Sequence, residues 1–388
     1  MTNRWVCYVV DPNGYRIGIV DDMRSFKGKI IFNDVGSWTL EVARASNSLI
    51  PLTSPMNGIE IFDTQTNLQF MTGLIDTREQ KYDAENDTLT ITGFDQNERL
   101  NWRLAHPSPT ETFPPYTTTA YDVRTGVAST IMCQYVNANL GTTAIGARQM
   151  TSLASVDAAF GSSLTGRARW EVLLPFLQNL ALQGGDVGFK MVRVGTALQF
   201  VTYAPRDLTA DVKFSVALGN LIGGAVKTTS PKATYVFAAG TGDLTARVYH
   251  ESSDGVALAA WGRREYFLDV NNLTADAELK QAGDKTIKEQ GPQAEFAVQI
   301  TDTANQEYGT DYSLGDKVTA IFVGSEPVPN LGIEGGQVSE IIREVAINIT
   351  DQEQRITPTI GTPNRNDAFR IFREIRRLRA QIQKRQIN

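Results

Sequence analysis

A chain of 388 residues exceeds a single typical core and calls for two to four subdomains. Its 41 % hydrophobic and 21 % charged content suits a soluble globular protein, and a net charge of −6 argues against general nucleic-acid binding, which needs a basic face. No apolar run approaches the ~20 residues of a membrane span. Residues Met1 to Trp5 lack the apolar stretch of a secretory signal, so folding in a cytoplasm is expected. Cys7 and Cys133 stand far apart in apolar surroundings and are expected as two buried thiols, not a disulfide.

The chain opens with two polar turns between alternating strands. Asp11-Pro12-Asn13-Gly14 is followed by Tyr15, Ile17 and Ile19 alternating with Arg16 and Gly18. Asn33-Asp34-Val35-Gly36-Ser37 is entered through Ile30 and Phe32 and left through Trp38, Leu40 and Val42. Apolar residues at every second position predict half-buried strands, and Pro, Asn and Gly supply the backbone angles a reversal needs. Trp38 is expected to anchor this small sheet. Further strands are predicted at Ile59–Phe62, Gln69–Ile75 and Thr88–Phe94, with residues 80–87 as a charged hairpin tip. Residues 1–105 therefore read as an N-terminal β-barrel or sandwich domain.

The texture changes at His106-Pro107-Ser108-Pro109 and Phe113-Pro114-Pro115-Tyr116, a connector that continues neither strand nor helix. A helix is predicted to open near Thr119 and run to about Asn139, with Val123, Val127, Ile131 and Tyr135 as its buried stripe. A second runs from Trp170 to Gln183 and stops at Gly184-Gly185. Strands at Val187–Val194 and Ala197–Tyr203 turn through Gly195-Thr196. Residues 106–232 read as an α+β middle domain. From Ala233 strands return at Thr234–Ala239, Ala246–Tyr249 and Arg264–Leu268, followed by a polar helix over Thr274–Gln290. Glu295–Ile300, Lys317–Phe322, Gly336–Glu340 and Val345–Ile349 complete a second barrel in residues 233–362. The fold class expected is mixed α+β, mainly β, with two β-barrel or sandwich domains flanking an α+β insert.

After Pro363, the residues Ala368, Ile371, Ile375, Leu378 and Ile382 step by three and four, a heptad core. Residues 363–388 hold eight Lys or Arg against two Asp or Glu, a charge of +6 on a remainder of −12. One reading is an amphipathic helix lying on its own domain. The other is a short coiled coil around an oligomer axis, where Ile at both kinds of core position favours three or more strands.

The search for chemistry is sparse. His106 and His250 are the two histidines, in unrelated contexts. His250, Ser252 and Asp254 compose a triad on paper only, since neighbours in one loop rarely reach that geometry. No zinc or redox spacing, nucleophile elbow or phosphate loop occurs. Asp21-Asp22 and the acidic run Asp83-Ala84-Glu85-Asn86-Asp87 read as solvated turns, and Gly223-Gly224 and Gly240-Thr241-Gly242 as turns. Trp5, Trp38, Trp102, Trp170 and Trp261 read as dispersed core anchors. No catalytic residue, metal or cofactor is expected.

The runs Asp11–Gly18 and Phe32–Leu40, with Leu314-Gly315-Asp316-Lys317-Val318-Thr319, Ile342–Val345 and Pro358–Gly361, resemble the Gp37-like minor tail proteins of long-tailed bacteriophages. That family is similar to baseplate hub, or tail-associated, proteins. The resemblance implies a non-enzymatic homotrimer whose paired barrels form a ring joining a six-fold tail tube to three-fold tip components. It implies as partners a distal tail protein, a tape measure protein and tail fibre or spike proteins, with no specific nucleic-acid binding and no membrane span. It places the chain at the tail tip of a virion assembled in the host cytoplasm. Alternatives are a distal-tail ring protein, a wall- or capsule-degrading tail protein, or a glycan-binding module.

Overall fold

The computed structural model describes residues 4–43, 49–82, 87–111, 118–150, 152–301, 303, 306–321, 333–334, 336–350 and 354–361. The two opening turns are where turn chemistry puts them. β1 (Trp5–Val10) and β2 (Arg16–Val20) pair antiparallel around residues 11–15. The Gly14 amide donates to the Asp11 carbonyl at 2.9 Å, and Gly14 sits at φ 90°, which costs a residue without Cβ nothing. β3 (Met23–Ile31) and β4 (Ser37–Ala43) turn around Asn33, at φ 55°. Along β4 the alternation buries Trp38, Leu40 and Val42.

On β2 the same alternation misleads: Tyr15, Ile17 and Ile19 are 60, 47 and 55 % exposed. Among the described residues β2 pairs with β1 and ends the strand order of its sheet, beyond the core's reach.

α1 (Leu49–Thr53) precedes β5 (Gly58–Asp63), β6 (Leu68–Tyr82) and β7 (Asp87–Asp95), the three strands expected there. Most of the acidic tip, residues 83–86, lies outside the described residues. α2 (Glu98–Asn101) and β8 (Leu104–Ala105) lead into the middle of the chain.

There the first predicted helix starts late. Residues 122–127 form β9 (Asp122–Val127), and α3 (Ala128–Leu140) begins behind it. After β10 (Leu153–Val156) comes β11 (Ser163–Ala168), which takes the backbone of β9 along its whole length. Tertiary pairing thus overrides a weak helical pattern containing β-branched Val123, Thr125 and Val127. Val123 is exposed in consequence, while Ile131 and Tyr135 are buried as expected.

β12 (Glu171–Val172) adjoins α4 (Leu173–Gln183), which ends at Gly184 with Gly185 at φ 93°. Tyr135 of α3 meets Phe176 of α4 edge-on at 4.7 Å, the centre of a second core. β13 (Gly188–Val194) and β14 (Ala197–Tyr203) form the predicted hairpin, with Gly195 at φ 60°.

β15 (Lys213–Ser215) is followed by β16 (Leu221–Thr229), so Gly223-Gly224 lies within a strand and is no turn. β17 (Tyr235–Ala239), β18 (Tyr249–Ser253), α5 (Gly255–Trp261), β19 (Glu265–Asp269) and α6 (Asp276–Gln290) form a small unit. The strand expected at 246–249 is displaced forward, because Leu244–Ala246 coil into a single tight turn. The loop expected at 250–254 is instead strand and helix cap.

β20 (Gln293–Ile300), β21 (Lys317–Ile321), β22 (Ile333–Glu334), β23 (Gln337–Thr350) and β24 (Gln354–Ile360) close the described chain. Two strands expected near residue 340 are one, β23.

The class is mixed α+β and mainly β, but the two expected closed barrels are absent among the described residues. The strands at both ends of the chain join one open sheet in the order β16-β20-β24-β23-β3-β4-β7-β6-β5-β1-β2. β23 causes this. Its first half pairs with β21 and its second half lies between β24 and β3, welding the ends together. The core is shared accordingly: Phe26, Leu40 and Ile91 cluster with Phe214, Tyr312, Val318 and Ile347. The heptad residues Ala368, Ile371, Ile375, Leu378 and Ile382 lie outside the described residues.

Candidate assembly surfaces

The paper triad dissolves into structural roles. His250 and Ser252 share one face of β18, against α6. His250 Nδ1 lies 2.8 Å from Asp276 Oδ1, and Ser252 Oγ donates to Asp284 Oδ1 at 2.8 Å. Asp254 Oδ1 accepts from the Val256 and Ala257 amides, both at 3.0 Å, and caps α5. The three side chains hold β18, α5 and α6 together and converge on no common point.

His106 packs edge-on against Trp170 at 4.4 Å, and its Nδ1 accepts from the Ser108 amide. Burial, with Arg148 nearby, lowers its pKa. Cys7 and Cys133 are free and buried, as expected. Burial pushes their thiols up to about 12 and about 11, far from reactive thiolates. No group of three potential metal ligands occurs among the described residues, and no described helix is long and apolar enough to cross a membrane. Trp5 and Trp38 are core anchors, whereas Trp102 and Trp261 are 43 and 37 % exposed. A tryptophan on a short helix or its rim lacks a second layer to enter.

The turn at Asn33–Ser37 does more than reverse the chain. Asn33 Nδ2 donates to the Val187 carbonyl at 2.8 Å, and Asn33 Oδ1 accepts from the Phe189 amide at 2.7 Å. Gln178 of α4 donates to the Asn33 carbonyl, and Asn97 Oδ1 accepts from the Met191 amide at 2.6 Å. Asn97 Nδ2 also donates to the Asp34 carbonyl. This clip holds the middle of the chain to the large sheet.

Beneath it, Asp95 accepts from the Gly36 amide at 2.9 Å and the Asn97 amide at 3.0 Å. Burial, opposed by those two bonds and reinforced by Asp34 and Glu98, pushes its carboxyl up to about 7. Sequence reasoning found the turn but not the clip; Asn at a tight turn has a local explanation that hides a long-range one. On the other side, Arg167 makes two 2.8 Å bonds to Glu278 of α6, so the middle of the chain is tied to the small unit too.

Two clusters of exposed apolar side chains stand out among the described residues. One is the β2 edge with Tyr15, Ile17 and Ile19. The other is the outer face of the sheet β18-β17-β19, opposite α6. It carries Tyr249 and Phe267, each about half exposed, with Tyr235 and Phe237 between them. The Arg263 guanidinium lies 3.6 Å over the Tyr235 ring. Exposed apolar clusters rimmed by charge mark interaction surfaces.

Residues 6–362 match the family described as Siphovirus ReqiPepy6 Gp37-like protein. The chain belongs to this family of phage tail proteins. Its fold is shared with solved tail proteins at low identity. The 43 kDa tail protein of prophage MuSo2 from Shewanella oneidensis is 13 % identical at TM-score 0.60, covering 93 % of this chain and 99 % of that one. The tail protein from Neisseria meningitidis MC58 is 12 % identical at TM-score 0.56, covering 93 and 97 %. Prophage tail protein gp18 from Listeria monocytogenes is 12 % identical at TM-score 0.53, covering 98 % of both. No curated protein matches the chain in sequence. The expected family is therefore correct, and the chain is a phage tail component.

Proposed function

We propose that the protein is a structural hub of the tail tip or baseplate, three copies forming a ring that joins a six-fold tail tube to three-fold tip or fibre components and closes the channel. The observation that carries this reading is the family match along residues 6–362. Ring closure asks each subunit for two different, mutually complementary surfaces. The β2 edge and the aromatic face of the small unit, two different exposed apolar surfaces on one subunit, support this reading, as does the single sheet that joins the two ends of the chain. A mechanical role of this kind needs large protein–protein interfaces and no reacting centre.

On this reading the tube side meets a distal tail protein, the lumen the tape measure protein, and the tip side fibre or spike proteins. Ala368, Ile371, Ile375, Leu378 and Ile382 pack about the three-fold axis. The virion is assembled in the host cytoplasm, with this chain at the tail tip. Solution mass is the direct test: three times 42.7 kDa is expected, and a stable monomer at micromolar concentration refutes the trimer. Six copies per particle would assign the distal-tail ring instead, and release of host-wall fragments by the purified protein would restore an enzymatic reading.

A further inference from the structure

Three arginines lie near one another where the first hairpin, α2 and the β13–β14 turn come together, and none of them forms an ion pair with a described residue. Arg99 is 8 % exposed and Arg193 7 %. Arg99 Nε donates to Gln96 Oε1 at 2.7 Å, but its two terminal nitrogens make no hydrogen bond to any described residue and are not sealed from solvent. Arg193 donates to the carbonyls of Thr196 at 3.0 Å and Pro12 at 3.1 Å, while its Nε is buried without a partner. Gly14 makes room for it: a Cβ there would stand 2.4 Å from Arg193 Nη1. Arg103 donates to the Trp102 carbonyl, and its Nε too is buried and unpartnered.

The Asp11 carboxylate is near enough to Arg193 to oppose the effect of burial on it, but it makes no ion pair with the guanidinium. Asp11 accepts from the Tyr15 amide at 2.8 Å, and Glu98 from Asn101 at 2.8 Å. By contrast Arg4, Arg16, Arg124, Arg167 and Arg206 each pair with a carboxylate. A buried guanidinium without an ion-pair partner is costly, and two like charges near Arg99 add to the cost. Burial and then Arg193 and Arg103 push the Arg99 pKa down to about 10. Trp102, with its ring 5.5 Å from the Arg99 guanidinium and 43 % exposed, forms one wall open to solvent.

We propose that Arg99, Arg103 and Arg193 form an oxyanion-binding site, with the two terminal nitrogens of Arg99 as the fork that receives the ligand. A carboxylate or phosphate there is held by two parallel charge-assisted bonds and relieves the repulsion among the three guanidiniums. Two sources share this chemistry: a carboxylate on an acidic segment of a neighbouring subunit, and free phosphate. The site does not depend on the trimeric reading; it forms within one chain, and its failure would leave the hub untouched.

Calorimetric titration of the full-length protein tests it, with inorganic phosphate and with a peptide Asp-Ala-Glu-Asn-Asp as probes, at constant ionic strength set by chloride. Saturable binding of at least one probe is expected, weakened about tenfold or more by Arg99→Met. The tighter probe assigns the source. Arg103→Met, at a half-buried position, repeats the comparison if Arg99→Met does not fold. Absence of saturable binding by either probe in the millimolar range overturns the proposal, as does unchanged affinity in a folded variant.

Discussion

Asp95 makes the stability of the clip depend on pH in a way that a single substitution isolates. Its carboxyl is buried, stands at about 7 in the folded protein, and has an ordinary value of 3.8 when unfolded. A raised carboxyl pKa means that the folded state holds its proton longer. Stability from this group is therefore complete below about pH 4 and falls as pH rises towards 7. The slope is about 1.4 kcal/mol per pH unit in the middle of that window and halves by pH 7, so the loss between pH 5 and 7 is about 2 kcal/mol. Asp95→Asn keeps the shape, removes the titration, and turns an amide NH2 toward either the Gly36 or the Asn97 amide, at a cost of about 1–3 kcal/mol. Urea midpoints followed by tryptophan fluorescence, for both proteins from pH 5 to pH 8, measure the difference. The variant's deficit is expected to shrink by about 2 kcal/mol from pH 5 to 7 and to level off by about pH 8. Parallel curves for the two proteins would refute the reasoning, and a deficit that grows with pH would reverse its sign.

Gly93→Ala should cost about 3 kcal/mol, because its Cβ would lie 1.9 Å from the Leu74 carbonyl oxygen and 2.5 Å from the Trp38 ring, neither of which can yield; thermal unfolding reads this. Asn33→Ala should lose about 2–4 kcal/mol, since it leaves the Phe189 amide unbonded and forces Ala to positive φ. Asn33→Gly should recover about 1 kcal/mol of that, and equal losses for the two would mean that the backbone angle is irrelevant. Asp254→Ala removes both cap bonds of α5 and should destabilise it by about 1 kcal/mol, seen as faster amide exchange at Val256 and Ala257 with little change elsewhere.

Local chemistry in the sequence was enough for the hairpin turns at Asp11–Gly14 and Gly195-Thr196, the buried face of β4 and the stop of α4 at Gly184-Gly185. Each rests on a period of two or 3.6, or on a residue able to take a positive φ, which the chain carries within a few positions. Tertiary structure alone decided the rest. Residues 122–127 are a strand because β11 lies beside them, and Tyr15, Ile17 and Ile19 face outward because β2 is an edge. Two expected barrels became one sheet because β23 found β3, and Asn33 and Asn97 became a clip because β13 passes within hydrogen-bond reach. Which strand or side chain a residue meets across hundreds of positions is set by the packing of the whole core, and no local pattern encodes it.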